Sequence, residues 1–300
     1  MKLSIHYTPK MVANADSYSP SAGKPAQVMA SWTELGLPLD IVEPSPISVE
    51  QFSLAHDRAF VQGILSGKND NGFGNKLPSV ATSLPYTSGV MLSAARTALE
   101  NQGGAIAPCS GFHHAGYDFA GGFCTFNGLM VTATVLLAEG KVRKVGILDC
   151  DQHWGNGTQD IIDRLHLGDR VVHYTPCRTF GRTQRAEAFL AILPQLLTAF
   201  ADCDLMLYQA GADPHINDPL GGWLTTEQLY RRDAIVFDRL RKMCIPVAWN
   251  LAGGYQRDAA GTIRPVLTIH DNTLHAFAEV WGVEATCDEP CKPACLLDSQ

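Results

Sequence analysis

Short apolar runs alternate along the chain with longer segments whose apolar residues recur every three or four positions. The runs have the length of buried β-strands, and the longer segments have the period of helices that bury one face. The pattern predicts strands at residues 3–7, 39–42, 105–107, 145–148, 170–174, 204–209 and 246–251. It predicts helices at residues 26–35, 58–65, 89–101, 126–139, 184–200, 225–243 and 262–281, the last one broken near Pro265.

Smaller signals refine this list of elements. Ser48 with Gln51 resembles a capping box that opens a short helix, and Thr225 with Gln228 resembles another. Thr158 is expected to cap a helix after residue 158, and residues 66–88 are expected to form a long loop. The alternation of strands and helices predicts an α/β fold, in which a mostly parallel, multi-stranded sheet is flanked by helices on both faces. We expect a single domain at residues 1–283 and a C-terminal tail at residues 284–300.

Composition narrows the class of protein. The chain has 300 residues, of which 46% are hydrophobic and 18% are charged. The charged fraction is below the average of about 25% for soluble domains, which favours a large buried core. With a net charge of −7 and no long basic block, nucleic-acid binding is not expected. The longest strongly apolar stretch, residues 129–138, is too short to span a membrane.

The cysteines and the N-terminus favour a cytoplasmic protein. No signal peptide is recognisable, and six of the nine cysteines are scattered singly, as expected for buried thiols in a reducing compartment. The other three, Cys287, Cys291 and Cys295, lie in the tail. Their spacing matches no common ligand pattern, so a loose tail is favoured over a metal or disulfide role.

Candidate chemistry begins at the end of the strand at residues 145–148. Asp149, Asp151 and His153 follow at alternate positions, which in an extended chain point to the same face. Asp151 and His153 can therefore bind one metal ion, and a carboxylate with an imidazole suits zinc. A catalytic zinc needs a third protein ligand and an open position. The alternative interpretation is an ordinary polar strand end.

Three other predicted strands also end in polar, glycine-rich loops. These loops carry His113 and His114, then Asp213, then residues 253–255 with Tyr255. Because the carboxyl ends of neighbouring parallel strands converge on one crevice, we expect these side chains to meet. Asp213, which follows its strand directly, is the most economical third zinc ligand.

These motifs together resemble the zinc-dependent histone deacetylase family, which includes bacterial deacetylase-like amidohydrolases and acetylpolyamine amidohydrolases. The match runs from about residue 50 to residue 256 and implies the arginase/deacetylase fold. It rests on five motifs in the family's order: His113-His-Ala115, Gly122-Phe-Cys-Thr-Phe-Asn127, Asp149-x-Asp-x-His-x-Gly-Asn-Gly-Thr158, Gly211-Ala-Asp-Pro-His215 with its continuation to Gly222, and Gly253-Gly-Tyr255.

The resemblance implies a role for each residue. It implies zinc bound by Asp151, His153 and Asp213, and a structural potassium ion near Asp149. His114 is the expected general base and later acid, His113 would tune proton transfer beside it, and Tyr255 would donate a hydrogen bond to the oxyanion. Asp149 is the expected partner of His113. Asn156 is expected to support His114, at a position where many relatives have Asp. Gly122 and Phe123 are expected to line the acyl-lysine tunnel, and Phe180 is expected to form the opposite wall.

The expected function is therefore a zinc-dependent deacetylase whose substrate is acetyl-lysine or a small acetylated amine. Hydrolysis of acetylpolyamines specifically is a narrower alternative, and a catalytically silent acyl-lysine-binding module is an alternative of another class. An arginase-like dinuclear manganese site would need an acid two residues after Asp213, where the chain has His215. Acidic residues such as Asp70 are hypothesised to attract a cationic substrate. Oligomeric state is left open.

Overall fold

Seven parallel strands form one sheet in the computed structural model, which describes residues 2–282. In sheet order the strands run β2-β1-β3-β7-β6-β4-β5, and all their pairings are parallel. Their bounds lie within about two residues of the predicted ones: β1 (Leu3–His6), β2 (Leu39–Val42), β3 (Gly104–Ala107), β4 (Val145–Asp149), β5 (Val171–Tyr174), β6 (Leu205–Gln209) and β7 (Val247–Asn250).

Within residues 2–282, ten α-helices connect and cover the strands. They are α1 (Lys24–Glu34), α2 (Val49–Phe52), α3 (Arg58–Leu65), α4 (Pro78–Asn101), α5 (Gly128–Ala138), α6 (Asn156–Arg164), α7 (Cys177–Phe180), α8 (Ala186–Leu196), α9 (Thr226–Lys242) and α10 (Arg264–Trp281). The capping boxes at Ser48 and Thr225 are confirmed. No helix within residues 2–282 is long and apolar enough to cross a membrane.

The sheet is buried on both faces. On one face Ile147 of β4 packs in a core with Met91 of α4 and Leu129 of α5. On the other face the next residue, Leu148, packs in a core to which α1, α8, α9 and α10 contribute. Successive strand residues point to opposite faces, so a strand between two helix layers is apolar throughout. The predicted fold class is confirmed.

The prediction of a loop over residues 66–88 is wrong from Pro78 onward. Pro78 lies in the first turn of α4, where a backbone N–H has no partner within the helix. Pro85 lies inside the helix, where it removes a helical hydrogen bond. Burial of Val80 and Leu84 on the same helix offsets this cost, and the carbonyl of Pro85 accepts a hydrogen bond from the N–H of Ile47 at 2.9 Å.

Local signals near two other helices were also misleading. Gly155, not Thr158, is the N-cap of α6, and the Thr158 hydroxyl instead accepts a hydrogen bond from Asn127 Nδ2 at 3.0 Å. Pro265 lies in the first turn of α10 and therefore starts that helix instead of breaking it. The predicted helix at residues 184–200 consists of α8 between two short 3₁₀ turns.

The six cysteines within residues 2–282 are all free. Four of them are buried, Cys177 is half-buried and Cys244 is exposed, which agrees with the expected single thiols. The other three cysteines, and the expected domain end at residue 283, lie outside the described residues.

Candidate active site

The predicted residues follow four adjacent strands, β3, β7, β6 and β4, and lie together at the carboxyl ends of these strands. Asp151 and His153 follow β4, and Asp213 follows β6. His153 Nδ1 lies 3.3 Å from Asp151 Oδ1 and 3.2 Å from Asp213 Oδ2. One ligand atom from each of the three residues lies within 4.8 Å of the others, and within residues 2–282 this is the one cluster of such side chains.

The geometry of these three side chains fits a divalent cation. Asp213 is fully buried, and its Oδ2 atom has no hydrogen-bond partner although His153 Nδ1 lies 3.2 Å away. Burial and the neighbouring charge of Asp151 raise the pKa of Asp213. Two buried carboxylates facing each other are stable only with a proton or a cation between them. A nitrogen–oxygen donor set of this kind suits zinc, and the His153 side chain is 37% exposed, which leaves an open side.

A glycine keeps the space between the two carboxylates open. The backbone N–H of Gly253 donates to Asp151 Oδ2 at 2.9 Å. A Cβ atom at this position would lie 2.4 Å from Asp213 Oδ2 and 2.8 Å from Asp151 Oδ2. Only glycine therefore allows the backbone after β7 to approach the carboxylates of Asp151 and Asp213 this closely.

The environments of His113 and His114 shift the pKa values of the two rings in opposite directions. Burial lowers the pKa of His113, but the carboxylates of Asp149 and Asp151 outweigh it and raise the pKa to about 9. Burial and the charge of His113 lower the pKa of His114, although the hydrogen bond to Asn156 acts in the opposite direction. His113 Nδ1 lies 2.8 Å from Asp149 Oδ2, and His114 Nδ1 lies 2.6 Å from Asn156 Oδ1. Such a divergence is typical of an acid and a base working side by side.

Tyr255 is held in its protonated form. Burial and the carboxylates of Asp151 and Asp213 raise the pKa of its hydroxyl far above the ordinary value. Its backbone N–H donates to Asp218 Oδ2 at 2.8 Å, which fixes the loop after β7. With His113, Asp151 and Gly122, Tyr255 lines a cavity of about 240 Å³. A larger neighbouring cavity of about 460 Å³ has no titratable side chain in its lining.

The predicted tunnel residues are only partly brought together. Phe123 lies beside Tyr255, with ring centroids 5.8 Å apart, and has a positive φ of 64°. Gly122 lies against His114, whose Cδ2 would be 2.5 Å from a Cβ atom at Gly122. Phe180 instead packs against Phe189, with centroids 5.5 Å apart. Its place as the wall opposite Phe123 stays a prediction.

Asp149 does not offer a free oxygen for potassium. Its Oδ2 atom is occupied by His113, and its Oδ1 atom accepts hydrogen bonds from Gln209 Nε2 at 2.7 Å and from the N–H of Asp151 at 3.2 Å. The potassium ion implied by the resemblance therefore gains no support from this carboxylate and stays a prediction.

Two buried residues near the site were missed by sequence reasoning. Lys24, at the start of α1, is completely buried and donates from Nζ to the carbonyl of Ala252 at 2.5 Å. Gln209 ends β6 and holds Asp149. A polar residue at the end of an apolar strand is a signal that could have identified Gln209, but nothing in the local pattern indicates that Lys24 is buried.

His215 does not belong to the metal cluster. Its Nε2 atom lies 3.0 Å from Thr226 Oγ1, and its Nδ1 atom accepts a hydrogen bond from the N–H of Asn217 at 3.1 Å. The second carboxylate that a dinuclear site needs is thus replaced by an imidazole that is already engaged elsewhere.

Two solved structures have folds similar to that of this chain. The crystal structure of the HDA15 HD domain superposes with a TM-score of 0.74 over 93% of this chain and 92% of that chain, at 20% identity. The acetylpolyamine aminohydrolase from Burkholderia pseudomallei superposes with a TM-score of 0.71 over 93% of this chain and 99% of that chain, at 17% identity. The fold is therefore the arginase/deacetylase fold.

Sequence comparison identifies the family. The histone deacetylase domain family matches residues 21–176 and 169–268, so this chain belongs to that family. Acetylpolyamine amidohydrolase 1 of Pseudomonas aeruginosa is 28% identical over 50% of this chain and 50% of its own length. The acetylpolyamine amidohydrolase of Mycoplana ramosa is 55% identical over 23% of this chain and 20% of its own length. A probable deacetylase of Methanothermobacter thermautotrophicus is 23% identical over 86% of both chains.

Proposed function

We propose that this protein is a zinc-dependent amidohydrolase that removes the acetyl group from an acetylated primary amine, such as acetyl-lysine or a small acetylated amine. The observation that carries the proposal is the convergence of three metal-ligand side chains beside a histidine pair and a protonated tyrosine. Zinc held by Asp151, His153 and Asp213 would polarise the amide carbonyl and make a water molecule more acidic.

His114 is suited to move the proton. Its lowered pKa keeps the ring neutral near pH 7, and its Nδ1 atom is engaged by Asn156 Oδ1, so Nε2 is the free acceptor. His114 thus accepts the proton of the attacking water and returns it to the nitrogen of the departing amine. His113, whose raised pKa keeps it positively charged, stays protonated on Nδ1 against Asp149.

Tyr255 is suited to stabilise the oxyanion. Its hydroxyl remains a donor at any physiological pH and lines the same cavity as His113 and Asp151. A donor aimed at the developing oxyanion typically contributes a factor of about 10²–10³ in rate. The amine then leaves as a primary amine, and acetate is the other product.

The test is hydrolysis of an acetyl-lysine peptide and of N-acetylputrescine by zinc-loaded protein, with a hydroxamate as inhibitor. We expect hydroxamate-sensitive turnover of at least one substrate. In the Tyr255→Phe variant, kcat should fall by roughly 10²–10³ at unchanged zinc content. Absence of turnover with full zinc occupancy and retained hydroxamate binding would contradict the proposal and favour the silent binding module. The ratio of kcat/KM for the two substrates decides whether acetylpolyamines are preferred.

A further inference from the structure

Two exposed arginines, Arg178 and Arg257, contact aromatic residues that adjoin the candidate active site. We take the region bordered by Tyr18, Phe123 and Trp154 as the entrance to this site. Trp154 directly follows His153 and is 39% exposed, and the guanidinium carbon of Arg178 lies 4.5 Å from the centroid of its ring. The ring of Tyr18, 53% exposed, is stacked on Tyr255 with centroids 6.4 Å apart. On that side, Arg257 Nη2 donates to the carbonyl of Tyr18 at 3.4 Å.

Neither arginine is neutralised by the protein. Within residues 2–282, neither Arg178 nor Arg257 forms an ion pair with a carboxylate; Arg178 contacts an aromatic ring, and Arg257 bonds only to backbone carbonyls. Arg182 and Arg185 are also exposed and lie on the segment that carries Arg178. This concentration of unpaired positive charge contrasts with the net charge of −7 for the whole chain.

The nearby carboxylates form no ion pair with Arg178 or Arg257 within residues 2–282, because their oxygens accept hydrogen bonds from neutral donors instead. Asp258, next to Arg257, is bonded to Thr262, and Asp218 is bonded to the backbone N–H groups of Tyr255 and Leu220. Asp16 is exposed on the loop that carries Tyr18. The surroundings of the entrance thus hold three carboxylates, Asp16, Asp218 and Asp258, and four guanidinium groups, those of Arg178, Arg182, Arg185 and Arg257. Asp70, the residue expected to attract a cation, instead lies 3.8 Å from Lys76.

We infer that this entrance selects acetylated amines whose far end carries an anionic group, and disfavours cationic polyamines. The inference rests on the proposed deacetylase function. An arginine held over an indole ring is less hydrated and keeps its donors free at the edge of the ring, which suits a carboxylate or phosphate. A polyamine entering the same opening would place its ammonium group near unpaired guanidinium groups, and this contact is repulsive.

The test uses substrates that differ only at the far end of the chain. 6-Acetamidohexanoate carries a carboxylate, N-acetylcadaverine carries an ammonium group, and N-pentylacetamide is neutral. With zinc-loaded wild-type protein at low ionic strength, we expect kcat/KM to be highest for 6-acetamidohexanoate, intermediate for N-pentylacetamide and lowest for N-acetylcadaverine, with a ratio of roughly tenfold or more between anion and cation. Arg178→Gln and Arg257→Gln should each reduce this ratio about two- to fivefold, the range for exposed charge pairs, mainly through KM.

Arg143→Gln is the matched control. The Arg143 side chain is 78% exposed and lies just before the amino end of β4, whereas the site lies at the carboxyl ends of the strands. It removes the same charge and should leave the substrate ratio unchanged. Hydrolysis of all three substrates with a preference for N-acetylcadaverine, or with a ratio that the arginine variants do not alter, overturns this inference and leaves the deacetylase function intact. Failure to hydrolyse any of the three, while the acetyl-lysine peptide is turned over, overturns this inference alone. Failure on the three amides and on the peptide overturns the proposed function as well.

Discussion

Replacing Lys24 by methionine should affect activity far more than stability. Lys24 is fully buried beside the loop after β7, and its Nζ atom donates to the carbonyl of Ala252, which precedes Gly253 and has a positive φ of 51°. Burial lowers the pKa of Lys24 from 10.5 to about 8, although the carboxylates of Asp213 and Asp151 act in the opposite direction. This difference means that the buried charge costs about 3 kcal/mol of folding free energy at neutral pH.

Two terms of opposite sign then determine the stability of Lys24→Met. Methionine removes the cost of the buried charge, but it leaves the carbonyl of Ala252 without a donor, which costs about 1–3 kcal/mol. The free energy of unfolding should therefore change by less than about 2 kcal/mol. The loop that positions Tyr255 loses its anchor, so kcat/KM should fall roughly ten- to a hundredfold, less than complete loss of an oxyanion donor would cost.

Urea denaturation and steady-state kinetics test both statements. The pKa of Lys24 is lower in the folded protein than in the unfolded chain, so Lys24 loses its proton at lower pH when the protein is folded. The contribution of Lys24 to the free energy of unfolding of the wild-type protein should therefore rise between about pH 8 and pH 10.5. Lys24→Met should lack this rise, and Lys10→Met, at an exposed lysine paired with Glu43, should keep it. An unchanged kcat/KM, or a loss of stability above about 4 kcal/mol, would refute the reasoning.

Three further changes test other parts of the molecule. Asn156→Asp places a charge beside His114 and should raise its pKa, so the acidic limb of the kcat/KM profile should move to higher pH; a limb that stays in place would exclude His114 as the base. Gly253→Ala should weaken zinc binding at least tenfold, measured by competition with a chelator, because its Cβ would displace both carboxylates. Asp233→Asn removes the buried negative charge that binds Arg232, Tyr208 and Thr273, so the free energy of unfolding measured by urea denaturation should fall by about 3 kcal/mol. Asp238→Asn, on the exposed side of α9, is the control and should have little effect.

The sheet was predictable because its signals are local. Apolar runs such as residues 145–148 and 205–209 are buried on both faces and stand out from their polar ends. The convergence of Asp151, His153 and Asp213 was predictable for the same reason, since these residues lie just after strands whose carboxyl ends meet.

What could not be predicted depends on tertiary contacts. The start of α4 at Pro78 is stabilised by burial that outweighs the local cost of Pro85, and no window of sequence shows that burial. Lys24 precedes a proline at the start of a helix, which is a common exposed position, and only the loop after β7 makes it a buried donor. Phe180 packs against Phe189, nine residues later, and its expected place opposite Phe123 stays a prediction.

The position of β7 in the sheet has a consequence for the growing polypeptide. Strands β2, β1 and β3 form one half of the sheet, and β6, β4 and β5 form the other. β7, the last strand within residues 2–282, is the one that joins them. A nascent chain that has emerged from the ribosome only as far as residue 245 therefore has two half-sheets with unpaired inner edges. Such edges bind other strands readily, so we expect this stage of synthesis to be the most prone to aggregation and to depend most on chaperones. Tyr255 and Gly253 follow β7, so the candidate site is complete only after that strand has been inserted.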